Sequence, residues 1–172
     1  MDSKKRMMFI LEEDYYFITI KILSVLKALE CDKKPFEDYR KLGIIFEFVK
    51  SEDNINFLEK LICNRYDDIF DSERAIKIFC DSRLCVAVIK RILFFLDKKE
   101  MIELIRSKKN SNIDVKLKNS AKLEELIDLG ILDEDLKRCR KVKCLLPRIR
   151  SLKLETLQKK IFGYDEVSKW ED

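Results

Sequence analysis

The fold is decided by residues 92–117, ILFFLDKKEMIELIRSKKNSNIDVKL, where the spacing of apolar residues changes from that of a helix to that of a strand. From Ile113 to Leu117 apolar and charged residues alternate strictly, which is the period of a half-buried strand. Residues 102–106 are apolar and β-branched enough to pair with that strand, and Asn110–Asn112 supply a turn between them. The segment therefore predicts one β-hairpin, over residues 101–118, directly after a helix.

Upstream of the hairpin, apolar residues recur at the spacing of amphipathic helices. One helix carries the apolar positions of residues 42–49, and Pro35 is expected in its first turn, where the missing N–H costs nothing. A later helical segment is expected to start at Ser72 and either to continue through residues 81–82 or to break there. The first half of the chain is therefore predicted to be a bundle of helices.

Downstream of the hairpin, Asn119 or Ser120 can cap a short helix that Gly130 closes, and a last helix is expected to end at Gly163. With 3 Gly and 2 Pro, the chain is poor in the turn residues that β-sandwiches need. The predicted fold class is mainly α, a helical domain with one β-hairpin and a winged-helix-like second half. The predicted units are residues 1–96 and residues 97–172, packed together.

The residue types needed for common catalytic and metal sites are missing or scattered. The chain has 0 His, which removes the commonest general base and metal ligand. Its glycines are isolated, so no phosphate-binding loop is present in the sequence. The paired cysteines Cys80 and Cys85, and Cys139 and Cys144, are spaced more widely than zinc knuckles prefer. We therefore expect a protein that is not an enzyme and that uses no cofactor and no metal.

The 6 Cys residues are scattered and no secretory signal precedes them, which favours reduced thiols packed in the core. The longest apolar runs are broken by Lys or Arg before they reach a membrane-spanning length. A cytoplasmic protein without a membrane partner is expected.

Positive charge is concentrated near the carboxyl end, although the whole chain has a net charge of only +4. Residues 137–160 contain a run of Lys and Arg with Glu155 as the one acid. Three interpretations stay open: a solvated surface, docking on an acidic protein, or contact with nucleic-acid phosphates. The candidate binding residues in this segment are Lys137, Arg138, Arg140, Lys141, Lys143, Arg148 and Arg150.

Two further candidates lie at the predicted tip of the hairpin. Lys108 and Lys109 precede the turn and could touch a phosphate backbone, as the wing of a winged-helix protein does. Many units of this kind dock on proteins instead. Protein docking is the interpretation we favour for the hairpin.

The order of these elements resembles the middle component of bacterial ABC-three-component defence systems, the group that includes the small subunit of Lamassu. The similar residues are KLGIIFEFV, from Lys41 to Val49, after an amino-terminal helix, and the helix-then-wing passage from Ile92 to Leu117. The resemblance implies a small adaptor that joins an SMC-like ATPase subunit to an effector subunit such as a nuclease, and that reaches DNA through the complex.

The expected function is therefore that of a non-catalytic adaptor in an antiviral complex. The alternative is a stand-alone winged-helix DNA-binding protein, which would use the hairpin and the basic helices directly. A small helical interaction protein of viral origin, or one that modulates a host, is a third possibility, because it needs only helices and reduced cysteines.

Overall fold

The computed structural model describes residues 3–63, 69–107 and 112–163, with side chains described from Tyr15 onward. In these ranges the chain forms helices joined by one antiparallel hairpin, so the predicted fold class is confirmed. The elements in chain order are α1 (Ser3–Ala28), α2 (Lys41–Val49), α3 (Glu52–Ile62), α4 (Ile69–Lys98), β1 (Ile102–Arg106), β2 (Ile113–Leu117), α5 (Ala121–Asp128), α6 (Asp133–Leu145) and α7 (Leu154–Phe162).

Helix α2 is the centre of the molecule, because every one of its residues is buried, Lys41 and Glu47 included. Helices α1, α3, α4 and α6 all pack against it. Gly43 permits the close crossing with α4: a Cβ atom there would lie 2.5 Å from the Ser82 carbonyl oxygen. The stretch KLGIIFEFV is thus a core helix on which the other elements assemble.

Two buried lysines of this core form hydrogen bonds with the second half of the chain. Lys41 donates from Nζ to the carbonyl oxygens of Ile149, Arg150 and Leu152, at 2.8, 2.9 and 2.7 Å. Its ammonium also lies 4.6 Å from the centre of the Phe36 ring. Burial lowers the pKa of Lys41 to about 8.

The second buried lysine lies on α1. Lys21 donates from Nζ to Asp135 Oδ1 on α6, at 2.6 Å, and its side chain is only 1% exposed. The same ammonium lies 4.5 Å from the centre of the Phe17 ring. Both lysines therefore bind the carboxyl-terminal half of the chain from within the core.

The hairpin pairs β1 with β2 in antiparallel register, from Ile102 opposite Leu117 to Arg106 opposite Ile113. Val115 and Leu117 are buried, as the alternation predicted. Residues 31–39 lie along the other edge of β2, and Phe36 and Val115 exchange two backbone hydrogen bonds, of 2.8 and 2.9 Å.

The prediction of a helix starting at Pro35 is wrong, since the helix begins at Lys41. Proline has a fixed φ near −65° and no backbone N–H. These properties suit Pro35 to an edge segment beside β2 as well as to the first turn of a helix. The hydrogen bonds that Phe36 makes with β2 decide between the two.

Helix α4 is continuous through residues 81–82, and it has begun by Ile69, so the expected start at Ser72 is wrong. Ser82 is buried, and its hydroxyl donates to the Phe79 carbonyl oxygen at 2.6 Å, within the same helix. A hydroxyl satisfied in this way does not interrupt the helix.

The second half folds back over the first. Ser120 caps α5 by accepting from the Leu123 N–H at 3.3 Å, and Gly130 takes φ +68° after that helix, as expected. Helix α6 then packs on α1, α2 and α3, and α7 packs on α3.

Candidate interaction surfaces

The predicted basic segment is divided between α6 and the turn that follows it. Lys137, Arg138, Arg140, Lys141 and Lys143 lie on α6, and Arg148 and Arg150 lie in the turn. The structure separates these cations into those bound within the chain and those facing solvent. Nothing in the sequence indicates this division.

Two of the cations bind carbonyl groups at the carboxyl-terminal end of α1. Lys143 Nζ lies 3.1 Å from the Ala28 carbonyl oxygen and 3.1 Å from Glu30 Oε1. Arg150 donates to the Leu29 and Glu30 carbonyl oxygens at 3.1 and 3.3 Å. The last carbonyls of a helix lack intrahelical partners and carry partial negative charge, so these contacts are structural. Hydrogen bonds from Lys33 and Lys143 lower the pKa of Glu30 to about 2.

Two more cations form ion pairs within the chain. Arg138 pairs with Glu134 one turn earlier on α6, and with Asp135, the carboxylate that also binds Lys21. Lys141 pairs with Glu52 in the first turn of α3. The side chain of Lys141 is still 56% exposed, so its ammonium is available to a second anion.

The remaining cations face solvent. Lys137, Arg140 and Arg148 are exposed and make no side-chain hydrogen bond or ion pair with any other residue that the structure describes. Lys137, Arg140 and Lys141 share one side of α6, at i, i+3 and i+4, and Arg148 follows in the turn. We call these four residues the α6 outer face.

The two candidates at the hairpin tip, Lys108 and Lys109, lie outside the residues that the structure describes. Their predicted contact with a partner stays a prediction. The strands that lead to the tip are described up to Ser107 and from Asn112 onward.

A second surface, on α4, was not expected from the sequence. Leu84 is 75% exposed, and Phe94 and Phe95 are 46% and 55% exposed. Phe95 follows Cys85, Val88 and Ile92 at helical spacing, which predicts that it faces inward. It is exposed instead, and the core is filled by Ile89, Ile92, Leu93 and Leu96. Helix α4 is apolar on more than one side, so periodicity alone could not tell its inner face from its outer face.

A cleft of about 950 Å³ lies between the hairpin, α4 and the start of α7. Several of its polar groups bind each other: Asp38 accepts from Arg40 at 2.9 and 2.7 Å, and Asp114 accepts from the Asp38 N–H at 2.9 Å. Asn112 Nδ2 completes the network, 3.3 Å from Asp38. The cleft is therefore best explained as the junction that fixes the hairpin to the loop before α2.

The cysteines are free, but only some of them are core residues. Cys31 and Cys139 are buried and Cys85 is half-buried, and burial raises the pKa of each of these thiols to about 12. Cys63, Cys80 and Cys144 are exposed, so the expectation of core thiols is wrong for these three. The described residues contain no cluster of three or more His, Cys, Asp or Glu side chains able to hold a metal ion.

Among the described helices, none combines the length and the apolar character that crossing a bilayer requires. Comparison with known protein families, curated proteins and solved structures finds no match to this chain. The resemblance to the defence-system component accordingly rests on the sequence features given above.

Proposed function

We propose that this protein is a non-catalytic adaptor that binds an acidic protein surface through the α6 outer face. The observation that supports this most is the set of exposed cations at Lys137, Arg140 and Arg148, which no described residue neutralises. Opposite charges across an interface guide association and fix its orientation. A partner that presents carboxylates at matching spacing would complete this face.

The small number of free cations favours a protein over DNA. Each phosphate contact contributes a slope of about −0.9 in log K against log salt, so three contacts lose about 40-fold in affinity between 50 and 200 mM salt. The α6 outer face alone therefore has too few cations to bind duplex DNA with high affinity. The cations that would have enlarged it, Arg138, Lys143 and Arg150, are bound inside the chain.

The helix before the hairpin also favours protein docking. In helix-turn-helix and winged-helix DNA-binding proteins a recognition helix presents polar and basic side chains to the major groove. Helix α4, which precedes the hairpin here, exposes Leu84 and Phe94 instead. Large exposed apolar side chains are typical of contacts with proteins.

The resemblance to the middle component of ABC-three-component systems indicates which partners to test first. We infer an SMC-like ATPase subunit and an effector nuclease, bridged by this chain in an antiviral complex. An adaptor of this kind needs a docking surface for each partner, and the α6 outer face is the surface that we propose for one of them. A stand-alone winged-helix DNA-binding protein is the second candidate, favoured only by the hairpin and the free cations.

A salt titration of DNA binding separates the two candidates. The full chain is mixed with duplex DNA of random sequence, and the dissociation constant is measured by fluorescence anisotropy across a range of salt concentrations. The adaptor proposal expects weak binding with a slope no steeper than about −4, the limit for the four cations of the α6 outer face. Tight binding with a slope of about −6 or steeper would support the DNA-binding alternative.

A further inference from the structure

The outer side of α4 carries a regular seam. Glu73, Lys77, Cys80, Leu84, Ala87, Arg91, Phe94 and Lys98 follow one another at alternating steps of four and three residues, and all of them are exposed. Steps of four and three are the heptad spacing by which one helix packs along another. The seam runs from Glu73 to Lys98, so it extends over roughly 35 to 40 Å of the helix.

The middle of the seam is apolar and its ends are oppositely charged. Leu84 and Ala87 lie at the centre, with Cys80 before them and Arg91, then Phe94, after them. Glu73 stands at the amino-terminal end and Lys98 at the carboxyl-terminal end. Neither Glu73 nor Lys98 makes an ion pair with any residue in the described part of the chain.

The geometry points to a second copy of this chain as the occupant of the seam, with two α4 helices packed antiparallel about a twofold axis. Centring the axis between Leu84 and Ala87 places Leu84 of each copy against Ala87 of the other. The same register puts Glu73 opposite Lys98 at both ends of the pair. A twofold interface must be self-complementary, and this seam is self-complementary in both shape and charge.

The neighbouring positions fit the same register. Lys77 of one copy falls opposite Phe94 of the other, where an ammonium can lie over an aromatic ring. The same antiparallel centring sets Arg91 opposite Cys80. A parallel arrangement would instead place Glu73 opposite Glu73 and Lys98 opposite Lys98, and like charges in contact are unfavourable.

This inference does not depend on the proposed adaptor function, because that function uses the α6 outer face. Leu84→Asp tests the apolar centre by placing a carboxylate from each copy in it. The matched control is Leu129→Asp, since Leu129 is 66% exposed on the turn after α5 and away from the seam. Sedimentation equilibrium of the full chain, up to about 1 mM, measures the dimer dissociation constant.

The expected result is a dimer for the wild type and for L129D, with a dissociation constant at least about a hundredfold weaker for L84D. Circular dichroism should show the same helix content in all three proteins, because both substituted residues are exposed. A wild type that stays monomeric throughout, or an L84D variant that dimerises as the wild type does, overturns the inference.

The charged ends test the antiparallel register. Glu73→Lys and Lys98→Glu should each weaken the dimer about fivefold or more, because each variant places like charges together at both ends. The double variant E73K/K98E, and an equal mixture of the two single variants, should restore the wild-type dissociation constant. If the single variants weaken dimerisation and neither combination restores it, this register is wrong.

Discussion

The buried lysines of the core and the basic residues of α6 carry the same charge and have opposite surroundings. Lys21 and Lys41 are 1% and 0% exposed and are held by a carboxylate and by three carbonyl oxygens. Lys137 and Arg140 face solvent with no partner in the described part of the chain. A cation therefore serves the fold where the chain surrounds it with acceptors, and it is available for binding where the chain does not.

The largest loss of stability should come from placing a charged side chain in the core where no group can pair with it. Val115 is as fully buried as Lys41, and its side chain lies between the hairpin and the core. Val115→Asp should lower the free energy of unfolding by about 4 kcal/mol or more, because the carboxylate loses hydration without gaining a partner. Urea denaturation followed by circular dichroism measures the change. An unaltered midpoint would show that the inward face of β2 is assigned wrongly.

The converse change removes the charge and leaves the acceptors. Lys41→Met should cost about 3 kcal/mol of stability, since three carbonyl oxygens each lose the hydrogen bond from Lys41, at a cost of roughly 1 kcal/mol each. Leu42→Met, one position along the same buried helix, is the control for the change in packing and should cost about 1 kcal/mol or less. Equal losses in the two variants would mean that the ammonium contributes only volume.

Because the pKa of Lys41 is lowered, the difference in free energy of unfolding between the wild type and K41M should depend on pH. Because the folded pKa is about 8 and the unfolded value is 10.5, the unfolded chain binds more protons between these pH values. The free energy of unfolding of the wild type should therefore rise, relative to that of K41M, as pH increases from about 8 to 10.5. A difference between the two proteins that stays constant across this range would contradict the assigned pKa.

A smaller effect is expected at the pair between α1 and α6. Asp135→Asn removes the charge that balances Lys21 but keeps an oxygen able to accept its hydrogen bond. The loss should be about 2 kcal/mol, less than the penalty for a buried charge left with no acceptor at all. Asp133→Asn, on an exposed residue of the same helix, should change the denaturation midpoint little.

The helices and the hairpin followed from patterns that depend on near neighbours in sequence. The alternation from Ile113 to Leu117 and the capping residue Ser120 each act within a few positions. The start of α2 did not follow, because the competing contact of Phe36 is with Val115, far away in the chain. The edge position of residues 31–39 could be found only after the hairpin was placed.

The candidate site divides in the same way. The basic segment is evident in the sequence, but Lys143, which binds the end of α1, cannot be told there from Lys137, which binds no described residue. That difference depends on how α6 lies against α1, which is a tertiary property. The outer side of α4 was missed because its exposed aromatic residues alternate with buried ones along a helix that is apolar on several sides.

We predict that the charges of the free cations can be reversed without loss of the fold. The triple variant K137E/R140E/R148E changes exposed residues only, so its free energy of unfolding should stay within about 0.5 kcal/mol of the wild type. The control K34E/K118E/K122E reverses three exposed lysines elsewhere and changes the net charge equally. These two proteins differ only in whether the α6 outer face keeps its charge.

Docking through the α6 outer face is tested by quantitative affinity purification of the tagged full chain from the cells that express it, comparing wild type, K137E/R140E/R148E and the control triple variant. We expect the wild type and the control to recover an SMC-like ATPase and an effector in similar amounts, and K137E/R140E/R148E to recover at least about tenfold less of the partner that binds the α6 outer face. Recovery of both partners by K137E/R140E/R148E at the wild-type level would contradict the claim that this face is the docking surface.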